Sequence, residues 1–201
     1  MVSPLTPERL AAEGIGTFFR PRDLELLGFP FSELQRLVAS GVVQKIETGL
    51  YRLTATEPNE FETLAMVVSA APNMIICLIS ALSFHGIGTQ VPHEVWLALD
   101  RKARKPAHLP AKARIVRFSG AMLTYGVETR EILGVTARVT SPPRTVVDCF
   151  RYRSKIGLDV ALEALRDALG SRAVTVDQIA RTAEVCRAGT VMRPYLEAIT
   201  R

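Results

Sequence analysis

Between Thr6 and Leu53 the apolar positions come in short bursts punctuated by glycine and proline. Thr6-Pro7-Glu8 offers a capping hydroxyl, a proline suited to the first helical position and an acid in the first turn. Gly14 closes that helix, and Thr17–Phe19 reads as a brief extended piece. Pro21-Arg22-Asp23 opens a second short helix with Leu24 and Leu27 facing inward, stopped by Gly28. After the tight connector Gly28-Phe29-Pro30, a third helix is predicted from Phe31 to Ser40, with Phe31, Leu34, Leu37 and Val38 on one stripe. Val42–Ile46 and Leu50–Leu53 flank Glu47-Thr48-Gly49, as the strands of a hairpin would. Helix, helix, tight turn, helix, hairpin is the order of a winged helix-turn-helix.

Thr54-Ala55-Thr56-Glu57-Pro58-Asn59 is polar and carries a proline, so it reads as a linker. The expected organisation is therefore a winged helix-turn-helix over residues 1–56 and a mixed α/β domain over 57–201. The fold class is α+β, with a small, mainly antiparallel sheet packed by helices in the second domain. Phe61–Ala71 and Ile75–His85 read as helices there, the second stopped by Gly86. Glu94–Leu99 reads as a strand buried on both faces, because four apolar residues follow one another. Ala113–Phe118 alternates like a strand, and Val127–Ile132 with Val135–Val139 flank Gly134 as a second hairpin. Pro142–Arg153, Leu158–Leu169, a helix capped by Thr175 and a last one over Thr190–Ile199 complete the expectation.

Composition narrows the function classes. No apolar run approaches the roughly 20 residues of a membrane helix, the longest being Met74–Phe84, read as a buried helix. The N-terminus lacks the pattern of a secretory signal, which makes the cytoplasm the expected compartment. Cys77, Cys149 and Cys186 are odd in number and far apart, and His85, His93 and His108 lack ligand spacing, so no disulfide framework, metal or other cofactor is expected.

Charge is unevenly spread. Residues 1–56 carry six basic and six acidic side chains, and residues 57–99 carry four Glu and no Lys or Arg. Residues 100–155 carry thirteen basic and four acidic groups. Such a surplus attracts polyanions. The densest cluster is Arg101, Lys102, Arg104 and Lys105, with Lys112, Arg114 and Arg117 nearby. Three readings stand for it: a second DNA contact, a docking patch for an acidic partner or RNA, and a solvated loop between strands. It contains no aromatic residue, which argues against stacking single-stranded bases.

The third helix is the candidate DNA reader, since a helix fits the major groove, where each base pair has its own donor and acceptor pattern. Arg36 suits guanine and Gln35 suits adenine, with Ser32 on the same side. Ser32 and Gln35 also fit a capping box, which would hold Gln35 against its own helix end. Arg20, Arg22, Lys45 and Arg52 are candidate phosphate contacts, which set register and carry no sequence information. One such neutral unit binds DNA weakly by itself, because affinity comes largely from phosphate neutralisation. Two copies bound cooperatively, or help from the basic stretch, would repair that.

Enzymatic motifs are missing: no nucleophile elbow, phosphate loop or dinucleotide fingerprint occurs. A nuclease or nucleotidyltransferase needs clustered carboxylates, whereas Asp100 and Asp148 are isolated. His85 ends an apolar helix and reads as a buried polar group with a backbone partner before it reads as a base. The expectation is a protein without catalytic activity.

Beyond these readings, the chain resembles a known family. Asp23-Leu24, Leu34-Gln35-Arg36-Leu37-Val38, Gly41 and Gly49-Leu50-Tyr51 are similar to the winged helix of AbiEi-type antitoxins, from type IV abortive-infection toxin–antitoxin systems. The resemblance continues through Ser80-Ala81-Leu82-Ser83-Phe84-His85-Gly86 and Pro92. It is strongest at Ser141-Pro142-Pro143-Arg144-Thr145-Val146-Val147-Asp148-Cys149-Phe150 and on from Lys155 to Leu165, and weakest over 170–201. It implies an antitoxin that represses its own promoter at inverted repeats and counteracts a nucleotidyltransferase-like toxin through a basic C-terminal domain, without a stable complex being required. The N-terminal unit departs from that pattern in not being basic. Arg144 and Asp148 are one helical turn apart and are expected to pair, orienting their helix against the sheet. The alternative function is a protein-interaction module, in which the same N-terminal unit docks a protein and not DNA.

Overall fold

Thr6, Asp23 and Pro30 set the starts of the first three helices in a computed structural model that describes residues 6–199. The Thr6 hydroxyl accepts the Arg9 N–H at 3.3 Å and opens α1 (Pro7–Ala12). The Asp23 carboxylate accepts the Arg20 N–H at 2.6 Å and opens α2 (Pro21–Leu26). Gly28, at φ +83°, turns the chain where a Cβ would be strained, and α3 (Phe31–Ala39) follows. β1 (Phe18–Phe19), β2 (Val43–Glu47) and β3 (Leu50–Leu53) form an antiparallel sheet in the order β1-β3-β2. Around them Leu10, Ile15, Phe19, Leu24, Leu34, Leu37, Val43, Tyr51 and Leu53 close a small core.

The apolar stripe of α3 is narrower than the sequence predicts. Leu34 and Leu37 are buried, but Phe31 is 49% exposed and Val38 is also exposed. On α2, Leu24 is buried, while Leu27, just past its end, faces solvent. The reason is length: helices of six and nine residues, packed mainly on one another and on β2, cover one row of side chains and no more.

The chain divides into two units. The first comprises residues 1–72, 106–111 and 130–137, so the break expected after residue 56 falls inside it. Within this unit α4 (Glu62–Ala70) is tied back by two arginines: Arg20 donates to the Ala70 carbonyl, and Arg52 Nη2 reaches Glu62 Oε1 at 2.6 Å. The 130–137 segment joins by close backbone contact. Thr17 N–H donates to the Leu133 carbonyl at 2.8 Å, and a Cβ on Gly16 would stand 2.5 Å from the Gly134 backbone.

The second unit comprises residues 73–105, 112–129 and 138–201. It holds β4 (Ile75–Ile76), β5 (Val95–Asp100), β6 (Ala113–Phe118) and the outer parts of β7 (Val127–Ile132) and β8 (Val135–Thr140), whose remaining residues fall in the 130–137 segment; the strand order is β6-β5-β4-β8-β7. The expected mainly antiparallel sheet is instead mixed. β4 runs antiparallel to β5 but parallel to β8, and β5 runs parallel to β6, because the long 101–112 connection returns the chain to the same end. β5 is buried from Val95 to Leu99, as its continuous apolar run predicts for a central strand. The expected single helix Ile75–His85 is a strand and a helix. Ile75 and Ile76 pair with β5 and β8, Leu78 takes a positive φ of 51°, and α5 (Leu78–His85) begins there. Periodicity cannot separate these two parts, since every position from Ile75 to Phe84 is apolar or small.

Pro142 and Pro143 start α6 (Pro142–Arg151), as predicted. This helix packs on α5, α8 (Leu158–Gly170), α9 (Val176–Val185) and α10 (Gly189–Ile199); the short α7 (Arg153–Ile156) bridges α6 and α8. Among the described residues no helix is long and apolar enough to cross a membrane.

Candidate nucleic-acid interface

On α3, Ser32, Gln35 and Arg36 stand at i, i+3 and i+4 and all are exposed. The Ser32–Gln35 capping box does not form. Pro30 takes the capping position and Phe31 is the first helical residue, which places Ser32 inside the helix instead of before it. Neither Ser32 nor Gln35 makes a side-chain hydrogen bond among the described residues, so the Gln35 amide keeps both donors and its acceptor.

Arg36 is committed differently. Its Nε and Nη2 donate to the two carboxylate oxygens of Glu33 at 2.9 and 2.5 Å, a fork across one helical turn. The pairing holds the Glu33 carboxyl below its ordinary range. These are the only charged residues of α3, so the helix is electrically neutral.

Of the four expected phosphate contacts, two are exposed. Arg22 stands at the start of α2 with Nε 3.7 Å from Asp23. Lys45 lies on β2, opposite Tyr51 in the ladder, at the edge of the three-stranded sheet. A bulge between Lys45 and Glu47 leaves Gln44, Lys45 and Ile46 exposed in succession. Arg20 and Arg52 turn inward to α4, with their Nε atoms buried. Their partners lie 50 and 10 residues away in the chain, too far for any local pattern to announce.

The basic cluster falls in the second unit. Arg101, Lys102, Arg104, Lys105 and Lys112 are exposed, and their side chains find no acceptor among the described residues. The loop has its own closure. Arg117 Nη1 donates to the carbonyls of Asp100 and Ala103 at 2.9 and 2.7 Å, and the Asp100 carboxylate accepts the Lys102 N–H at 2.9 Å. Arg114 is spoken for: Nε lies 2.9 Å from Glu94 Oε1 and its guanidinium sits 5.0 Å over the Trp96 ring. In total the first unit holds seven basic and ten acidic side chains, a balance of −3, and the second holds eighteen and ten, a balance of +8.

The residues that carry the family resemblance build a buried polar network. Arg144 and Asp148 are both fully buried, with Nε 2.9 Å from Oδ2, one turn apart as expected. Arg144 also donates to the carbonyls of Tyr125 and Met122 at 2.5 and 3.1 Å and lies over the Phe118 ring. Burial raises the Asp148 pKa to about 6 against the pull of Arg144, and Oδ1 has no partner. His85 donates from Nε2 to the Thr140 carbonyl at 2.7 Å, the backbone partner the sequence led one to expect. All three cysteines are buried, and burial pushes the Cys77 and Cys149 thiols up, away from the reactive thiolate. Among the described residues no group of three or more His, Cys, Asp or Glu is arranged to hold a metal.

No family model matches the chain, and no curated protein matches it. Among solved structures, the RV2827C protein from Mycobacterium tuberculosis shares the fold, with a TM-score of 0.57 over 89% of this chain and 69% of that one, at 16% sequence identity.

Proposed function

We propose that residues 7–53 form a winged helix-turn-helix that reads double-stranded DNA, with α3 in the major groove and the β2–β3 hairpin as the wing. The observation that carries this reading is the uncovered row Ser32, Gln35 and Arg36 on the helix that follows the Gly28 turn, with Lys45 exposed on the hairpin edge. These are the side-chain types that reach base edges and phosphates, on the element that enters the groove in this architecture. The basic loop of the second unit supplies the phosphate attraction that α3 lacks. Together with the resemblance to AbiEi-type antitoxins, the reading is a cytoplasmic, non-catalytic autorepressor. It binds inverted repeats in its own promoter as a cooperative pair and opposes a nucleotidyltransferase-like toxin through the second unit. Mobility shift of the DNA upstream of its own gene tests it. Wild-type protein is expected to bind at low salt, and Arg36→Ala to weaken binding roughly ten- to a hundredfold while relaxing preference at one base pair. Failure of the wild-type protein to retard that DNA at low salt overturns the proposal.

A specific observation favours a second reading. Leu26 is 83% exposed, Leu27 and Phe31 are also exposed, and α2 flanks a cavity of about 340 Å³ lined by Phe18, Leu26, Leu27, Val68 and Val135. An acidic unit with an apolar ledge suits a protein partner. Capture of one stoichiometric partner, lost in Leu26→Ser/Phe31→Ser and unaffected by promoter DNA, would establish it.

A further inference from the structure

An acid in the first turn of a DNA-reading helix needs an explanation, because it repels phosphate and the acceptor-rich base edges. Glu33 is such an acid. It is the only carboxylate of α3, and it is spent entirely on the only cation. Its side chain is 21% exposed against 55% for Arg36, so the carboxylate sits low on the helix and the guanidinium projects beyond it.

The geometry of the fork decides what remains. Arg36 has five N–H donors, and Glu33 takes one from Nε and one from Nη2. The second Nη2 donor and one Nη1 donor stay available, pointing in parallel off the end of the guanidinium plane, and the other Nη1 donor points back along the side chain. Guanine recognition needs two parallel donors, to O6 and N7, and that end-on pair supplies them. The carboxylate therefore does not compete with guanine. It fixes the plane of the guanidinium and takes away the freedom to swing toward a phosphate.

We propose that Glu33 is a specificity-determining, positioning residue. Glu33 and Arg36 act as one reading unit that engages a guanine on the major-groove edge, while the carboxylate lowers attraction to any other duplex. The inference rests on the reading of α3 as a DNA-contacting helix. This role differs from that of a surface pair bracing a helix, which bears on folding alone and leaves sequence preference untouched. It also gives the neutrality of α3 a purpose: general attraction is left to the basic loop, and the reader contributes discrimination.

The test uses the full chain and two duplexes: one enriched by the wild-type protein from a random-sequence pool, and its scrambled counterpart of equal composition. Affinities are compared at one salt concentration. Glu33→Gln removes the charge and is expected to tighten binding to the scrambled duplex three- to tenfold and to cut the ratio between the two duplexes at least tenfold. Glu33→Asp keeps the charge but is too short to close the fork; it is expected to leave the scrambled affinity at the wild-type level while the ratio still falls. An unchanged ratio in both variants, with or without a lowered melting temperature, marks the pair as a helix brace and overturns the inference. A Glu33→Asp variant of full selectivity overturns the positioning role. If the wild-type protein enriches no sequence from the pool, the reading of α3 fails and the inference falls with it, an outcome distinct from the two before.

Discussion

The two units put their cations to opposite uses. In the first, of balance −3, Arg20 holds a backbone carbonyl, while Arg22, Arg36 and Arg52 each face a carboxylate of the same unit. Of the candidate contacts there, Lys45 alone has a head group with no acceptor among the described residues. In the second, of balance +8, five cations between Arg101 and Lys112 stand without a carboxylate, and the one arginine that is neutralised at depth, Arg144, is in the core. A count of basic residues would call both units capable of holding a polyanion; the pairing says otherwise. The first unit keeps its cations paired internally, and the second leaves a cluster of them unpaired. Each prediction below works on one side of that contrast.

The largest effect belongs to the buried pair. Asp148→Ala leaves the Arg144 guanidinium buried with two carbonyls and no counter-charge, and a broken buried pair costs roughly 3–5 kcal/mol. Denaturant unfolding should show that loss, while the same change at an exposed acid of the second unit stays near zero. The pair also gives stability a pH dependence of unusual sign. Burial raises Asp148 to about 6 from the ordinary 3.8, so between those values the folded chain binds the proton more tightly than the unfolded one. Stability from this group is present at low pH, falls as pH rises from about 4 to about 6, and is level above. Asp148→Asn should remove that fall, and a wild-type minus Asp148→Asn stability difference that does not decline between about pH 4 and about pH 6 would contradict the burial argument.

Next comes the basic loop. If attraction resides in the second unit, Lys102→Ala/Lys105→Ala lowers the slope of log affinity against log salt by about 1.8 and weakens binding to every duplex alike, since each phosphate contact contributes about 0.9. Sequence preference should not move. A double variant that keeps the full salt slope would place the attraction elsewhere and erase the contrast between the units.

How much of this was readable beforehand follows from distance along the chain. The Gly28 turn, the hairpin at Gly49, the proline start of α6 and the Arg144–Asp148 pair are local patterns, within four residues of one another, and all stand where the sequence puts them. The loop of cations was visible as composition. What failed was set by other strands and helices. Ile75-Ile76 is a strand because β5 and β8 flank it, although its own run reads equally well as helix. Ser32 and Gln35 carry the letters of a capping box, but Pro30 starts the helix two residues earlier. Arg20 and Arg52 looked like surface cations because nothing local shows that α4 returns to claim them. The Glu33–Arg36 fork is local, three residues apart, yet a search for side chains that attract phosphate passes over an acid.

The smallest effect compares two cations on one hairpin. Lys45 and Arg52 are close in the ladder, Lys45 opposite Tyr51 and Arg52 opposite Gln44, and by sequence they were equal candidates for phosphate. The structure separates them: Lys45 is exposed, and Arg52 is bound to Glu62 with its Nε buried. Lys45→Ala should therefore lower the salt slope by about 0.9 on any sequence and leave folding unchanged. Arg52→Ala should leave the slope alone and cost about 1 kcal/mol of stability, because Glu62 loses its partner and α4 one of its two ties. An Arg52→Ala variant that lowers the salt slope as Lys45→Ala does would mean that Arg52 leaves Glu62 when DNA arrives. In that case the internal pairing of the first unit is a resting arrangement, and its cations count toward attraction after all.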